Sequence, residues 1–238
     1  MKIVSQKYRP GDFSEGQWHE MLVTLGKFGF SPKMADQVAN AKSGKAKEIV
    51  GLFGVINPYS DLLSDWEKFY QDVGISVDFS TLVIPIKQSG LDRLIIEADG
   101  LTPQKVYNIC SGLFKCWKWT NEDLDSVITH SDRVGLHAVW VKETVEADEN
   151  LKNLSADQLE MAKIAGITFN ERGLYEAKYF KETGKHLDIK NRTYCTGSRS
   201  WDGLVPHVSW DDFRGYMFVD RSGPSRSGGS LRSRQIVS

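Results

Sequence analysis

The sequence predicts an α+β protein in two parts: a small helical module over residues 1–76 and a mixed domain over 77–238. Three observations carry this reading. Apolar residues recur at helical spacing through the first part. The pattern turns to strand-like runs near Val77. Short alternating stretches dominate from Thr193 to the end. With 40% hydrophobic and 26% charged residues, the chain has the composition of a protein with a core.

Taken in order, "FSEGQWHEMLVTLGKF" places Trp18, Met21, Leu22 and Leu25 on one helical face. "SPKMADQVANAK" opens with Ser31 as N-cap and Pro32 at the first helical position. "YSDLLSDWEKFYQDVG" repeats the period with Leu62, Leu63, Trp66 and Tyr70 and stops at Gly74. Val77, Phe79, Leu82 to Ile86 and Leu94 to Ile96 predict strands around a turn at Ser89-Gly90. "LTPQKVYNICSGLF" is a helix capped by Thr102, with Pro103 behind it. A short helix follows in "TNEDLDSVI", where Thr120 and Asp123 form a weak capping box. "LHAVWVKETVEA" alternates as a strand, and "LSADQLEMAKI" starts a helix at the Ser155/Gln158 capping box. The clearest helix is "TFNERGLYEAKYFKETGKH", with a Thr168/Glu171 capping box, Gly184 as its stop, and Leu174, Ala177 and Phe180 on its buried face.

Charge and composition narrow the function. With 30 basic against 31 acidic residues the net charge is −1, which gives no whole-protein grip on nucleic acid or anionic membrane. The opening "MKIVSQKYRPGDF" has no leader pattern and no apolar run is long enough to span a bilayer, so a cytoplasmic protein without a membrane span is expected. Cys110, Cys116 and Cys195 lack ligand or disulfide spacing and read as packing residues. The histidines at 19, 130, 137, 186 and 207 are scattered and match no metal motif. "VEADEN" is acidic but lacks the glycine and the later glutamate of a calcium loop, and reads as a solvated turn. No phosphate loop or nucleophile elbow occurs. The expectation is a chain with no catalytic residue, no metal and no cofactor.

Two features near the end call for more. "RSGPSRSGGSLRSR" carries arginines among Ser and Gly, a composition that binds single-stranded nucleic acid without sequence preference. Upstream, "VPHVSWDD" and "GYMFVDR" alternate with period two. Val208, Trp210, Met217 and Val219 then share one face. His207, Ser209, Asp211, Tyr216, Phe218 and Asp220 share the other, a mixture of aromatic and small polar side chains like that of a paratope. On residues alone, packing beneath a loop or partner domain is the favoured explanation of Tyr216 and Phe218.

The segment Cys195–Ser238 resembles the C-terminal end of the variable proteins of diversity-generating retroelements, and more closely a group of uncharacterised candidate-phylum bacterial proteins. Gly197-Ser198-Arg199, Gly203, Val205-Pro206, Val208, Trp210, Gly215, Val219, Pro224 and Leu231-Arg232-Ser233-Arg234 carry the resemblance, which extends back to about Phe79. In that family a reverse transcriptase rewrites the end of the gene with errors at template adenines. Asparagine codons so altered cannot encode Trp, Met, Gln, Lys or Glu. The resemblance marks a variable region over about 198–230, with ligand-contacting positions Ser200, Leu204, His207, Ser209, Asp211, Asp212, Phe213, Arg214, Tyr216, Phe218, Asp220, Ser222 and Gly223, all permitted outcomes. Trp210 and Met217 are forbidden and fall on the fixed face; Trp201 is forbidden too and is left out. Gly203, Pro206, Val208, Trp210, Gly215, Val219, Leu231, Arg232 and Arg234 are the implied scaffold. Arg221 departs from the pattern, where an apolar or aromatic residue is implied.

The resemblance implies a C-type-lectin-like domain of the formylglycine-generating-enzyme type. Its function would be non-catalytic binding of a protein or other macromolecular ligand by diversified side chains. Neither that enzyme's cysteine chemistry nor calcium-dependent sugar binding carries over, because matching residues are lacking. The alternative reading is nucleic-acid binding by the Arg/Ser/Gly segment.

Overall fold

The computed structural model describes residues 14–27, 29, 31–40 and 59–238, and the chain divides into two units, Met1–Asp61 and Leu62–Ser238. The opening residues 1–13, read above for a leader, and residues 41–58 lie outside the described residues. In the first unit, helix α1 (Glu15–Lys27) starts at Ser14, whose Oγ accepts from Gln17 N at 3.2 Å. Helix α2 (Pro32–Ala39) is capped by Ser31 as the sequence predicts.

Helix α3 (Ser60–Asp72) lies mostly in the second unit, before the boundary expected at residue 76. Its Trp66, Phe69 and Tyr70 are buried in the second unit, where Trp66 Nε1 donates to Leu94 O at 3.2 Å and the Tyr70 hydroxyl to Ile96 O at 2.7 Å. The acceptors lie on β1 (Arg93–Glu97), which pairs antiparallel with β4 (His137–Val141) in a two-stranded sheet. The strands predicted over Val77–Ile86 do not form. That run joins no ladder and turns at Ser80-Thr81, where Leu82 N donates to Phe79 O at 3.0 Å; its Phe79 packs edge-on to Tyr70, and Pro85 O accepts from Trp140 Nε1 at 2.9 Å. Its apolar residues serve as packing groups, not as a ladder.

The main sheet has five strands in the order β2-β8-β7-β5-β9: Cys116–Lys118, Tyr216–Ser222, Val205–Asp211, Arg192–Tyr194 and Leu231–Arg232. It is mixed, with β2 parallel to β8, β5 parallel to β9, and the β7–β8 and β5–β7 pairs antiparallel. A second small sheet pairs β3 (Ile128–Ser131) with β6 (Ser198–Ser200). Helix α4 (Pro103–Leu113) has the expected Thr102 cap, whereas α5 (Leu124–Val127) is capped by Asp123 and not by Thr120. Helix α6 (Ala156–Met161) and helix α7 (Phe169–Thr183) both show the predicted reciprocal capping boxes, and α7 ends at Gly184 with φ +67°.

Helix α7 is the hub of the second unit: every residue from Phe169 to Lys178 is buried, and the helix packs against α4, β1 and β7. The last residues act as a seam between the sheets. Beyond β9, Gln235 bridges to Gly166, and Val237 exchanges backbone hydrogen bonds with Trp140 of β4 at 2.9 and 3.0 Å. The terminal "QIVS" is therefore scaffold.

Candidate ligand-binding face

The β7–β8 hairpin has the two faces that its alternation predicts. Register pairs Val208 with Val219 and Trp210 with Met217 on one side, and His207 with Asp220, Ser209 with Phe218 and Asp211 with Tyr216 on the other. The first side faces the core. Val208, Met217 and Val219 are buried, and Trp210 stacks on His186 and meets Phe114 edge-on. A four-residue turn, Asp212 to Gly215, closes the hairpin; Gly215 N donates to Asp211 O at 2.7 Å and Gly215 takes φ +67°, a conformation that favours glycine. Asp212, Phe213 and Arg214 project from this turn into solvent, with Phe213 97% exposed.

The second side is covered at one end and open at the other. Near the covered end, Tyr194, Val205 and Leu231 form an apolar cluster with Ala156 of α6, and the Tyr194 hydroxyl donates to Gly223 O at 2.9 Å. His207 lies here, 1% exposed, its ring roughly parallel to those of Tyr194 and Phe218. Its Nε2 lies 3.3 Å from Ser222 Oγ, and its Nδ1 has no partner. Burial pushes the imidazole down to about 4, against the pull of Asp220. At the open end, Asp211, Tyr216 and Phe218 are half-buried, and Arg214 reaches Asp211 at 3.4 Å and the Tyr216 hydroxyl at 3.2 Å; Asp220, opposite His207, is half-buried as well.

The candidate positions thus separate. Asp212, Phe213 and Arg214 are exposed; Leu204, Asp211, Tyr216, Phe218, Asp220 and Gly223 are partly so. Ser200, His207, Ser209 and Ser222, expected as ligand contacts, are buried. Ser200 is held in the β3–β6 pair, and the other three lie within the paired stretch of β7 and β8. Of the scaffold set, Pro206, Val208, Val219, Leu231, Arg232 and Arg234 are buried, Trp210 and Gly215 are half-buried, and Gly203 sits in the exposed turn before β7 at φ +80°.

The departure at Arg221 has a physical reason. It pairs with Asp202 at 2.6 Å and lies over the Trp119 ring at 5.3 Å, so a cation covers the aromatic that an apolar residue would otherwise have met. Of the arginines in the Ser/Gly-rich tail, Arg226 alone is exposed; Arg232 pairs with Glu149, and Arg234 is fully buried.

Sequence reasoning missed two residues of the open end, Trp117 and Arg192. Trp117 is the cross-strand neighbour of Phe218, with rings parallel at 4.7 Å, and the Arg192 guanidinium lies 5.7 Å from the same ring. "KCWKW" does alternate with period two, and that was the available sign; its partner strand lies far along the chain and could not be read.

Other groups give this face no visible reactive companion. Burial pushes the Cys116 thiol up to about 12 and raises Cys110 and Cys195 as well. Among the described residues no group of three or more His, Cys, Asp or Glu is placed to hold a metal ion, and no helix is long and apolar enough to cross a membrane. No family model, curated protein or solved structure matches this chain.

Proposed function

We propose that the chain is a non-catalytic ligand-binding protein of the retroelement-diversified type, in which a C-type-lectin-like scaffold displays variable side chains. One observation supports this most: the β7–β8 register turns Val208, Trp210, Met217 and Val219 to one side and His207, Ser209, Asp211, Tyr216, Phe218 and Asp220 to the other, the division that this reading requires. A rigid frame with replaceable surface residues is how binding function is grafted onto a fold. Within the variable set, Phe213, Tyr216 and Phe218 are the aromatic anchors, and Asp211, Asp212, Arg214 and Asp220 the adaptable polar contacts. Nucleic-acid binding by the tail is disfavoured, since Arg232 and Arg234 are committed inside the fold and Arg221 is paired.

The deciding test is the DNA beside the gene. The expected finding is a near-copy of the segment encoding the variable region, differing at adenines in the codons of the exposed positions, next to a reverse transcriptase gene. A neighbourhood holding neither sinks diversification. A salt titration against single-stranded DNA checks the disfavoured reading, which requires tight binding that falls steeply with salt.

A further inference from the structure

Two side chains at the open end of this face come from outside the variable region. Trp117 stands on β2 and Arg192 on β5. The register brings them to one place. Trp117 pairs with Phe218 and Phe218 with Ser209, while the pairing of Thr193 with Val208 sets Arg192 beside Ser209. The small Ser209 side chain leaves room for Arg192 to reach over the Phe218 ring. Whatever residue occupies position 218 therefore stands between an indole and a guanidinium that the diversified segment does not supply.

Both flanking groups have unused capacity. Trp117 keeps 41% of its surface exposed, and β2 is the edge strand, so among the described residues no strand pairs with it on the side away from β8. Arg192 is exposed and forms no ion pair with a carboxylate among the described residues. Trp and Arg are the residue types that most often concentrate binding energy at protein interfaces, and a free guanidinium takes a carboxylate through paired N–H donors. The carboxylates of Asp211 and Asp212 at the same end, with Asp220 farther along β8, repel a polyanion but tolerate a single acid aimed at Arg192.

We propose that Trp117 and Arg192 form a fixed recognition pair at the rim of the variable face, taking from each protein partner an apolar side chain next to a carboxylate. The proposal rests on the reading of the face given above. Its test is to pan a phage-displayed random peptide library on the full chain and measure affinities for the enriched peptides. The enriched peptides pair an acidic residue with an aliphatic or aromatic one. Their affinity falls about tenfold or more with Trp117→Ala and with Arg192→Ala. Replacing the peptide's acid by lysine abolishes binding to the unaltered chain and restores it to Arg192→Glu, a rescue that misfolded protein cannot give. Peptides that ignore Trp117→Ala and Arg192→Ala but are lost with Tyr216→Ala and Phe218→Ala overturn the fixed pair and leave the face standing. Peptides indifferent to all four substitutions, or no enrichment, overturn both.

Discussion

Arg234 holds a full positive charge where no water reaches it. Its guanidinium donates to Asp188 Oδ1 at 2.7 Å, to Thr144 O at 2.9 Å, to Val145 O at 2.8 Å and to Thr193 Oγ1 at 3.1 Å, and it lies over the Tyr175 ring at 5.3 Å. Asp188 also accepts from Arg172 Nε at 2.8 Å, and Arg172 in turn pairs with Glu176 at 2.8 Å, all fully buried. Removing one member of such a cluster leaves an uncompensated charge in a low-dielectric site. Arg234→Ala is expected to cost about 3–5 kcal/mol, and Arg234→Lys a large part of it, because an ammonium cannot serve four spread acceptors. Urea unfolding measures both; a loss under about 1 kcal/mol for the alanine variant would show that the cluster is not held as described. The sequence places Arg234 in the framework, yet nothing in it names Asp188 as partner. The two meet only because the seam from β9 to Val237 folds back over the loop after α7, a long-range event without local signature.

Elements were legible where their information is local. The capping boxes of α6 and α7, the Thr102 cap of α4 and the two faces of the hairpin each depend on residues a few positions apart, and each forms. The run Val77–Ile86 misled because an apolar run states that a segment is covered, not what covers it; Phe79 and Pro85 meet side chains of α3 and β4 instead of a neighbouring strand. The parallel β2–β8 pair brings Trp117 to the candidate site across most of the domain, so that part of the site could not be read. A close contact between helices was equally silent. Gly173 lies in the interior of α7, where glycine is a poor helix former, and a Cβ there would stand 2.4 Å from Val106 Cγ1 of α4. Gly173→Ala therefore gains helix propensity but drives the two helices apart, and the net expectation is a loss of about 1–3 kcal/mol. Val106→Ala in the same chain opens room for the added methyl. A thermal-melt comparison in which the double variant is no better than the sum of the singles would remove close packing as the reason for this glycine.

At the scale of the whole molecule, two buried groups give opposite responses to pH. Burial lifts Glu97 to about 7 from its usual 4.5, opposed by the Asn170 hydrogen bond, by His137 and by Arg133, while Glu171 adds to the rise. A raised carboxyl contributes stability that is complete below about 4.5 and is lost as pH rises through about 7. His137, itself raised by its contacts with Glu171 and Glu97 despite partial burial, acts in the same sense. His207, faced by Asp220, Arg192 and Arg226, is depressed to about 4 from 6.5. Its neutral form contributes stability that is complete above about 6.5 and is lost as pH falls through about 4. Displacements of this size at Glu97 and His207 are each worth on the order of 3 kcal/mol, and they slope in opposite directions across the same interval. The unaltered chain should thus show nearly level stability between about pH 4.5 and 6.5. Below that interval Glu171, held down to about 2 by His137, Arg133 and the Thr168 N–H despite its burial, begins to take up its proton and stability collapses. Glu97→Gln keeps an acceptor for the Asn170 amide, which donates to Glu97 Oε1 at 2.8 Å, and removes one slope. That variant should gain stability relative to the unaltered chain as pH rises toward 8, and lose it on acidification through His207. His207→Phe removes the other slope and should lose stability as pH rises. Chemical denaturation at a series of pH values reads the slopes directly, whatever the offset each substitution adds. If the Glu97→Gln profile runs parallel to that of the unaltered chain, the proton does not reside on Glu97, and the balance between the two buried groups is not what keeps this fold level between about pH 4.5 and 6.5.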